Sequence, residues 1–341
     1  MLRIAVPPDH SRLDPGTGAG RVWMNVLPRL RQAARVDVAP RRRPWRPDVW
    51  LLPAHGPPVS RREPVVSVIH GSAWMLDVDI LQLMPSEFAD PFVAATEAAL
   101  ERSALAIVPS EYTRRGLIEG GAMTEERVLV VPHGVDLAVF NPARAGGRRL
   151  VSAALGEDRP YVLFASIPSI RQKNLAALKK AMTRLAARGL PHALVIAGGT
   201  AGGEPPELLE EIAADLPGVA GRVAWLGRVD DAQLAGLMAE ADAFCLPSLF
   251  EAFGLTALEA LASGAPVVAS NRGALPEVVG EAAVVSEPSP DGLEAALLRV
   301  LSDPHLAERL RAAGPERAAT MTWGRTAEGW LRALELAAES H

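Results

Sequence analysis

Glu251 and Glu259 are separated by seven residues, the first in a loop and the second about five residues into the helical pattern that follows. At 1.5 Å rise per residue, Glu259 sits roughly 7–8 Å along the axis from the helix start. A single ligand can touch both ends of that span. Between the two acids, Phe253, Gly254 and Leu255 lead into the helix, where unpaired backbone N–H groups attract a diphosphate. Gly254 carries no Cβ to block a close approach. Glu259 has two oxygens that accept hydrogen bonds, which suits vicinal hydroxyls further along the same ligand. The spacing also fits a plain alternative, a helix with an acidic first turn and one solvated Glu.

Further candidates lie upstream. Lys173 stands at a strand-to-helix junction and is one of three lysines among 35 basic residues, so a compact ammonium there is noticeable. Lys179 and Lys180, on the helix that follows, show that lysine is tolerated locally without such a role. His70 ends a strand pattern, and His133, in a turn-rich stretch, reads as structural. Gly16-Thr-Gly18-Ala-Gly20-Arg21 opens a helix and permits close backbone approach to a ligand. A dinucleotide site would draw on Asp37, but these glycines depart from G-x-G-x-x-G and begin nine residues after Pro7.

These residues need strand ends and helix starts to hold them, and the sequence supplies both. Strand patterns fall at 2–6, 35–38, 48–52, 65–69, 104–108 and 127–131, with helical spacing at 21–34, 88–102 and 111–119. A turn-rich stretch over 132–160, with Asn141-Pro142 and Gly146-Gly147, reads as a linker. The pattern restarts with strands at 161–165, 193–197, 222–226, 243–246, 266–269 and 283–285. Helices are expected at 174–188, 206–215, 231–240, 255–263, 290–301 and 304–313, and a last one at 324–338. Such alternation predicts parallel sheets covered by helices, with ligands beyond the carboxyl ends of the strands.

The 341 residues, 49% of them apolar, suffice for two domains and exclude a disordered or fibrous chain. A net charge of −5 lacks the positive excess of a general nucleic-acid binder. The charge is uneven: residues 1–149 hold 19 basic against 16 acidic side chains, the remainder 16 against 24. Arg41, Arg42, Arg43, Arg46, Arg61 and Arg62 form either a solvated charge run or a contact for an anionic acceptor or membrane surface. The single cysteine, Cys245, excludes an internal disulfide and a thiolate metal site, and implies a reducing compartment. The first residues lack a leader pattern, and no apolar run approaches the ~18 residues needed to span a bilayer. A cytoplasmic location is expected, with peripheral contact at the inner membrane face left open.

Around the E-x7-E pair stand Glu251-Ala-Phe-Gly-Leu and Leu261-Ala-Ser-Gly-Ala-Pro-Val-Val-Ala-Ser. Pro132-His-Gly-Val-Asp, Lys173-Asn174, Leu226-Gly-Arg-Val, Leu275-Pro-Glu-Val-Val and Trp323 accompany them. In these motifs and their order the chain resembles the retaining GT-B glycosyltransferases of the glycogen-synthase-like and mannosyltransferase-like group, glycosyltransferase family 4.

The resemblance implies an α/β fold of two Rossmann-like domains whose parallel sheets face each other across a cleft. Residues 1–145 would form the acceptor-side domain and 146–322 the nucleotide-sugar domain, with 323–341 a helix crossing back to the first. It implies transfer of a hexosyl group from a nucleoside-diphosphate sugar to a hydroxyl of a glycan, lipid-linked or small-molecule acceptor, with retained configuration and no metal. Glu259 would hold the ribose hydroxyls and Glu251 hydroxyls of the donor sugar. The amides of Phe253, Gly254 and Leu255 would serve sugar and phosphate, and Lys173 the departing diphosphate. Arg171 would be a second phosphate cation, in a segment from Ala165 to Lys173 that departs from the family pattern. Arg228 would border the nucleobase, and Gly18 and Gly20 would admit the donor phosphate. His70 would approach donor sugar and acceptor, with Gly71 standing where the family carries Asp. Asp77-Val-Asp79 matches the D-x-D metal site of a different glycosyltransferase fold, whereas lysine and helix dipoles are the favoured charge partners here. The alternatives are a sugar-nucleotide epimerase on the same scaffold and a non-catalytic nucleotide- or glycan-binding subunit.

Overall fold

Runs such as Tyr161-Val-Leu-Phe-Ala and Ala193-Leu-Val-Ile-Ala show no polar alternation, so both faces of these strands must be covered. The computed structural model describes residues 1–7, 17–38, 46–54, 62–71, 86–167, 170–199 and 221–340. The chain divides into two units, Met1–Gly134 with Met321–His341, and Val135–Thr320.

In the first unit, β1 (Arg3–Val6), β2 (Arg35–Val38), β3 (Val49–Pro53), β4 (Val65–Val68), β5 (Leu105–Val108) and β6 (Val128–Val130) are ordered β2-β1-β3-β4-β5-β6. Every pairing is parallel. The helices are α1 (Gly18–Ala33), α2 (Ser86–Arg102) and α3 (Glu111–Glu119). The first begins ahead of the expected Arg21 because Thr17 caps it: its Oγ1 accepts the Gly20 N–H at 3.1 Å.

In the second unit, β7 (Tyr161–Ala165), β8 (Ala193–Ala197), β9 (Val223–Trp225), β10 (Ala243–Leu246), β11 (Val267–Ser270) and β12 (Ala283–Ser286) are ordered β12-β11-β10-β7-β8-β9, again all parallel. The helices are α4 (Gly147–Leu155), α5 (Leu175–Ala187), α6 (Asp231–Ala239), α7 (Leu255–Ala262), α8 (Leu275–Val279), α9 (Pro290–Ser302) and α10 (Pro304–Ala319). One face of α5 buries Leu178, Met182 and Leu185 against Val162, Phe164 and Ile196, each side chain contributing about 1.5–3 kcal/mol. The chain runs outward from β7 through β8 to β9, then returns to β7's other side with β10. This is the topological switch point, where the helices on either side diverge and leave a crevice at the strand ends.

Two expectations are corrected here: the linker stretch contains α4, and α10 runs past 313 to Ala319. The segment 275–279, assigned no element above, forms α8. The helix expected at 206–215 lies outside the described residues.

The last helix, α11 (Trp323–Glu339), belongs to the first unit. Its apolar stripe covers α1, where the Trp23 and Trp330 rings meet edge to face at 5.2 Å and 73°. Among the described residues no helix is long and apolar enough to cross a membrane.

Candidate functional site

The two loops that leave β7 and β10 are stitched to each other at the switch point. After β7 the chain makes a 3-10 turn, Arg171–Lys173, before α5. The Gln172 carbonyl accepts the Leu249 N–H at 2.8 Å, and Gln172 Nε2 donates to the Phe250 carbonyl at 2.6 Å. Asn174 is the one non-glycine with positive φ among the described residues, at 57°, a conformation its short polar side chain tolerates. Its Nδ2 donates to the carbonyls of Pro247 and Pro288 at 3.0 and 2.7 Å, tying the start of α5 to the loops after β10 and β12.

This frame fixes Lys173 beside the β10 loop. Lys173 Nζ donates to Glu251 Oε1 at 2.7 Å, and Ser248 Oγ donates to the same oxygen at 2.8 Å. The sequence reading gave Lys173 and Glu251 to separate parts of a ligand; the structure joins them in one ion pair. The Glu251 backbone is held as well. Its carbonyl accepts the Ala274 N–H at 2.9 Å, and Gly273 packs so close that a Cβ there would stand 2.2 Å from the Glu251 carbonyl oxygen.

Glu259 lies on α7 and is only 4% exposed, so it is not the solvated side chain of the plain helix alternative. Phe253 is buried and Leu255 half-buried at the start of α7. No side chain caps that helix, whose first N–H groups therefore take other partners or an anion. Gly254 has a reason for being glycine other than ligand approach: its φ is 96°, and a Cβ would meet Leu275 Cδ2 at 2.5 Å. Arg171 and Arg228 are exposed. Just before Arg228, the ends of β8 and β9 are linked by Gly198 N–H to the Gly227 carbonyl at 2.7 Å and by Trp225 Nε1 to the Gly198 carbonyl at 3.0 Å.

In the first unit Gly18 is exposed and opens α1, while Gly20 is buried and its N–H is engaged by the Thr17 cap. Half-buried His70 follows β4 and stands 5.6 Å, ring to ring, from His133, which in turn lies 6.4 Å from Trp323. The histidine read as structural is thus the neighbour of the one read as functional. Burial, and secondarily the nearby His70, hold the His133 imidazole well below the usual histidine range. A histidine depressed in the folded state stabilises fully above about pH 6.5 and loses that contribution as pH falls below it. Unfolding titrations should therefore show stability falling by up to about 1.4 kcal/mol per pH unit below pH 6.5 on this account. His133→Gln should flatten that slope; an unchanged slope in the variant contradicts the assignment.

Arg41, Arg42, Arg43, Arg61, Asp77 and Asp79 lie outside the described residues, while Arg46 and Arg62 are exposed. Cys245 is buried in β10, and desolvation pushes its thiol up.

Residues 151–317 match the family described as glycosyl transferases group 1. The chain is 37% identical over 202 residues to an MMP α-(1→4)-mannosyltransferase of Mycolicibacterium hassiacum, covering 58% of this chain and 45% of that protein. It is 32% identical over 286 residues to a D-inositol 3-phosphate glycosyltransferase of Jonesia denitrificans, covering 79% of this chain and 66% of that one. The chain thus spans about half to two thirds of the length of these relatives. Among solved structures, sucrose-phosphate synthase from Thermosynechococcus elongatus superposes with a TM-score of 0.78 at 20% identity, covering 100% of both chains. Anabaena HepE, solved in complex with UDP and glucose, gives 0.74 at 16% identity over 98% of this chain and 100% of that one. At these identities the structures share the fold, GT-B.

Proposed function

We propose that this chain, whose residues 151–317 match the glycosyl transferases group 1, moves a hexosyl group from a nucleoside-diphosphate sugar to a hydroxyl acceptor, with retention. The observation that carries the reading is the Lys173–Glu251 pair at the switch point, beside an α7 start that no side chain caps. A diphosphate needs fixed positive charge, and a helix N-terminus with an adjacent ammonium supplies it without reorganisation. Lys173 has three N–H donors, so its bond to Glu251 leaves others for phosphate. The bound UDP of HepE supports a nucleotide donor here.

In the proposed step the bond from the sugar's anomeric carbon to the diphosphate oxygen breaks while the acceptor oxygen bonds to that carbon on the same face. The acceptor proton passes to the departing phosphate oxygen. Glu251, neutralised by Lys173, serves hydroxyls of the sugar and is a poor covalent nucleophile, unlike the second carboxylate of a retaining glycosidase. Lys173 and the helix dipole take the charge that a divalent cation would otherwise carry, so the reaction is proposed to need no metal. By motif resemblance Glu259 holds the ribose, Arg171 assists at the phosphates, Arg228 borders the base, and Gly18 and Gly20 admit the donor phosphate. The first unit takes the acceptor, with His70 its candidate side chain, and the arginines clustered over residues 41–62 suit an anionic or membrane-borne acceptor.

A thermal-shift series with UDP-, GDP-, ADP- and TDP-sugars tests this. One nucleotide should raise the melting temperature, with about 2.7 kcal/mol of stabilisation at a hundred times its Kd. Flat melting curves with all four would end the proposal.

A further inference from the structure

We infer that Ser248 is a positioning residue for Glu251, selecting which carboxylate oxygen meets the transferred sugar. The inference rests on the donor-site reading above and names a residue that the motif analysis passed over.

Ser248 is fully buried, and its hydroxyl donates to Glu251 Oε1, the oxygen that also takes Lys173 Nζ. With both donors on Oε1, Oε2 is left to another donor. The two donors are unequal in stiffness. A lysine ammonium on a four-carbon stem can follow a rotating carboxylate, whereas a single rotatable bond places the serine hydroxyl relative to a fixed backbone. That backbone is anchored: the Ser248 carbonyl accepts Ser270 Oγ at 2.6 Å, and Ser270 Oγ accepts the Arg272 N–H at 3.1 Å. Ser270 is fully buried as well. The end of β11 thus anchors the Ser248 backbone through buried Ser270, and the Ser248 side chain carries that anchorage to the Glu251 carboxylate. Gly273 pins the backbone of Glu251; Ser248 pins its head. Remove the hydroxyl, and the ion pair persists while the carboxylate turns about its terminal bond, so Oε2 no longer holds its aim. Grip on the nucleotide would survive, and grip on the sugar would not.

A purely local role, an i to i+3 bond that shapes the loop, predicts a different pattern. The test measures affinities for UDP, UDP-glucose, GDP and GDP-mannose by calorimetry, and turnover with whichever sugar nucleotide binds. In Ser248→Ala the nucleoside diphosphate should keep its Kd within about twofold, while the extra affinity contributed by the sugar, and turnover, fall about tenfold or more, as for a lost hydrogen bond to a charged group. Ser248→Cys, somewhat larger than serine and weak as a donor, should match Ala. In a Glu251→Gln background, Ser248→Ala should cost the sugar increment nothing further. The inference is overturned if nucleotide and sugar affinities fall together, if only Ala is impaired, if the two substitutions add, or if the sugar increment is untouched. Absence of any sugar-nucleotide binding by the wild type would instead remove the donor-site reading itself, and this inference with it.

Discussion

Lys173→Ala is expected to lower turnover by about 10²- to 10³-fold, the usual effect of deleting one preorganised donor to developing charge. Two consequences of the deletion reinforce each other. The leaving diphosphate loses an adjacent ammonium, and Glu251 loses its counter-ion, keeping Ser248 as its one side-chain donor among the described residues. An unpaired carboxylate beside a diphosphate then repels it. Lys173→Arg should recover little, because the planar guanidinium does not fit the place of a compact ammonium wedged against Glu251. The apolar core beneath, centred on Phe164, Leu178 and Ile196, does not depend on Lys173, so the variant should still melt cooperatively. Steady-state rates within fivefold of wild type would show that Lys173 does not face the reacting bond.

Glu259→Ala is expected to act on binding instead. Each hydrogen bond to a charged group is worth about 1.5–3 kcal/mol, so losing two ribose hydroxyl contacts raises the nucleoside-diphosphate Kd by about 100-fold or more. Glu259 is almost fully buried on α7, and Glu259→Gln separates lost charge from lost volume. The specific signature is a comparison of ligands. Wild type should bind the ribonucleotide better than its 2′-deoxy analogue, and the Ala variant should no longer tell them apart. Calorimetry showing equal discrimination in both proteins would place the ribose elsewhere.

The strands of the second sheet are legible in the sequence because burial on both faces demands unbroken apolar runs, and β7, β8 and β10 are such runs. Glycines misled where they serve helix contacts. Gly146-Gly147 reads as a turn, yet Gly147 lies where a Cβ would stand 2.4 Å from the Gly236 carbonyl oxygen, so it lets α4 pack on α6. The helix expected to end at 313 continues through Gly314-Pro315, where a Cβ at Gly314 would stand 2.7 Å from the Leu261 carbonyl oxygen, so that α10 lies on α7. Close packing and chain reversal use the same residue type, and only the fold tells them apart.

At the site, the residue types and the E-x7-E spacing were legible because they follow one loop and one helix. The union of Lys173 with Glu251 was not, since it joins two strand ends brought together by sheet order. Ser248 carried no signal beyond its nearness to Glu251. His133 could have been marked as the neighbour of His70 only by knowing that the turn before the second unit lies beside the end of β4.

A crystal structure with a nucleoside diphosphate bound examines all of this at once. The account predicts diphosphate oxygens within hydrogen-bonding distance of Lys173 Nζ and of the first amides of α7, with both ribose hydroxyls on Glu259. A nucleotide bound at any other strand end, with the Lys173–Glu251 pair untouched by it, would contradict the account.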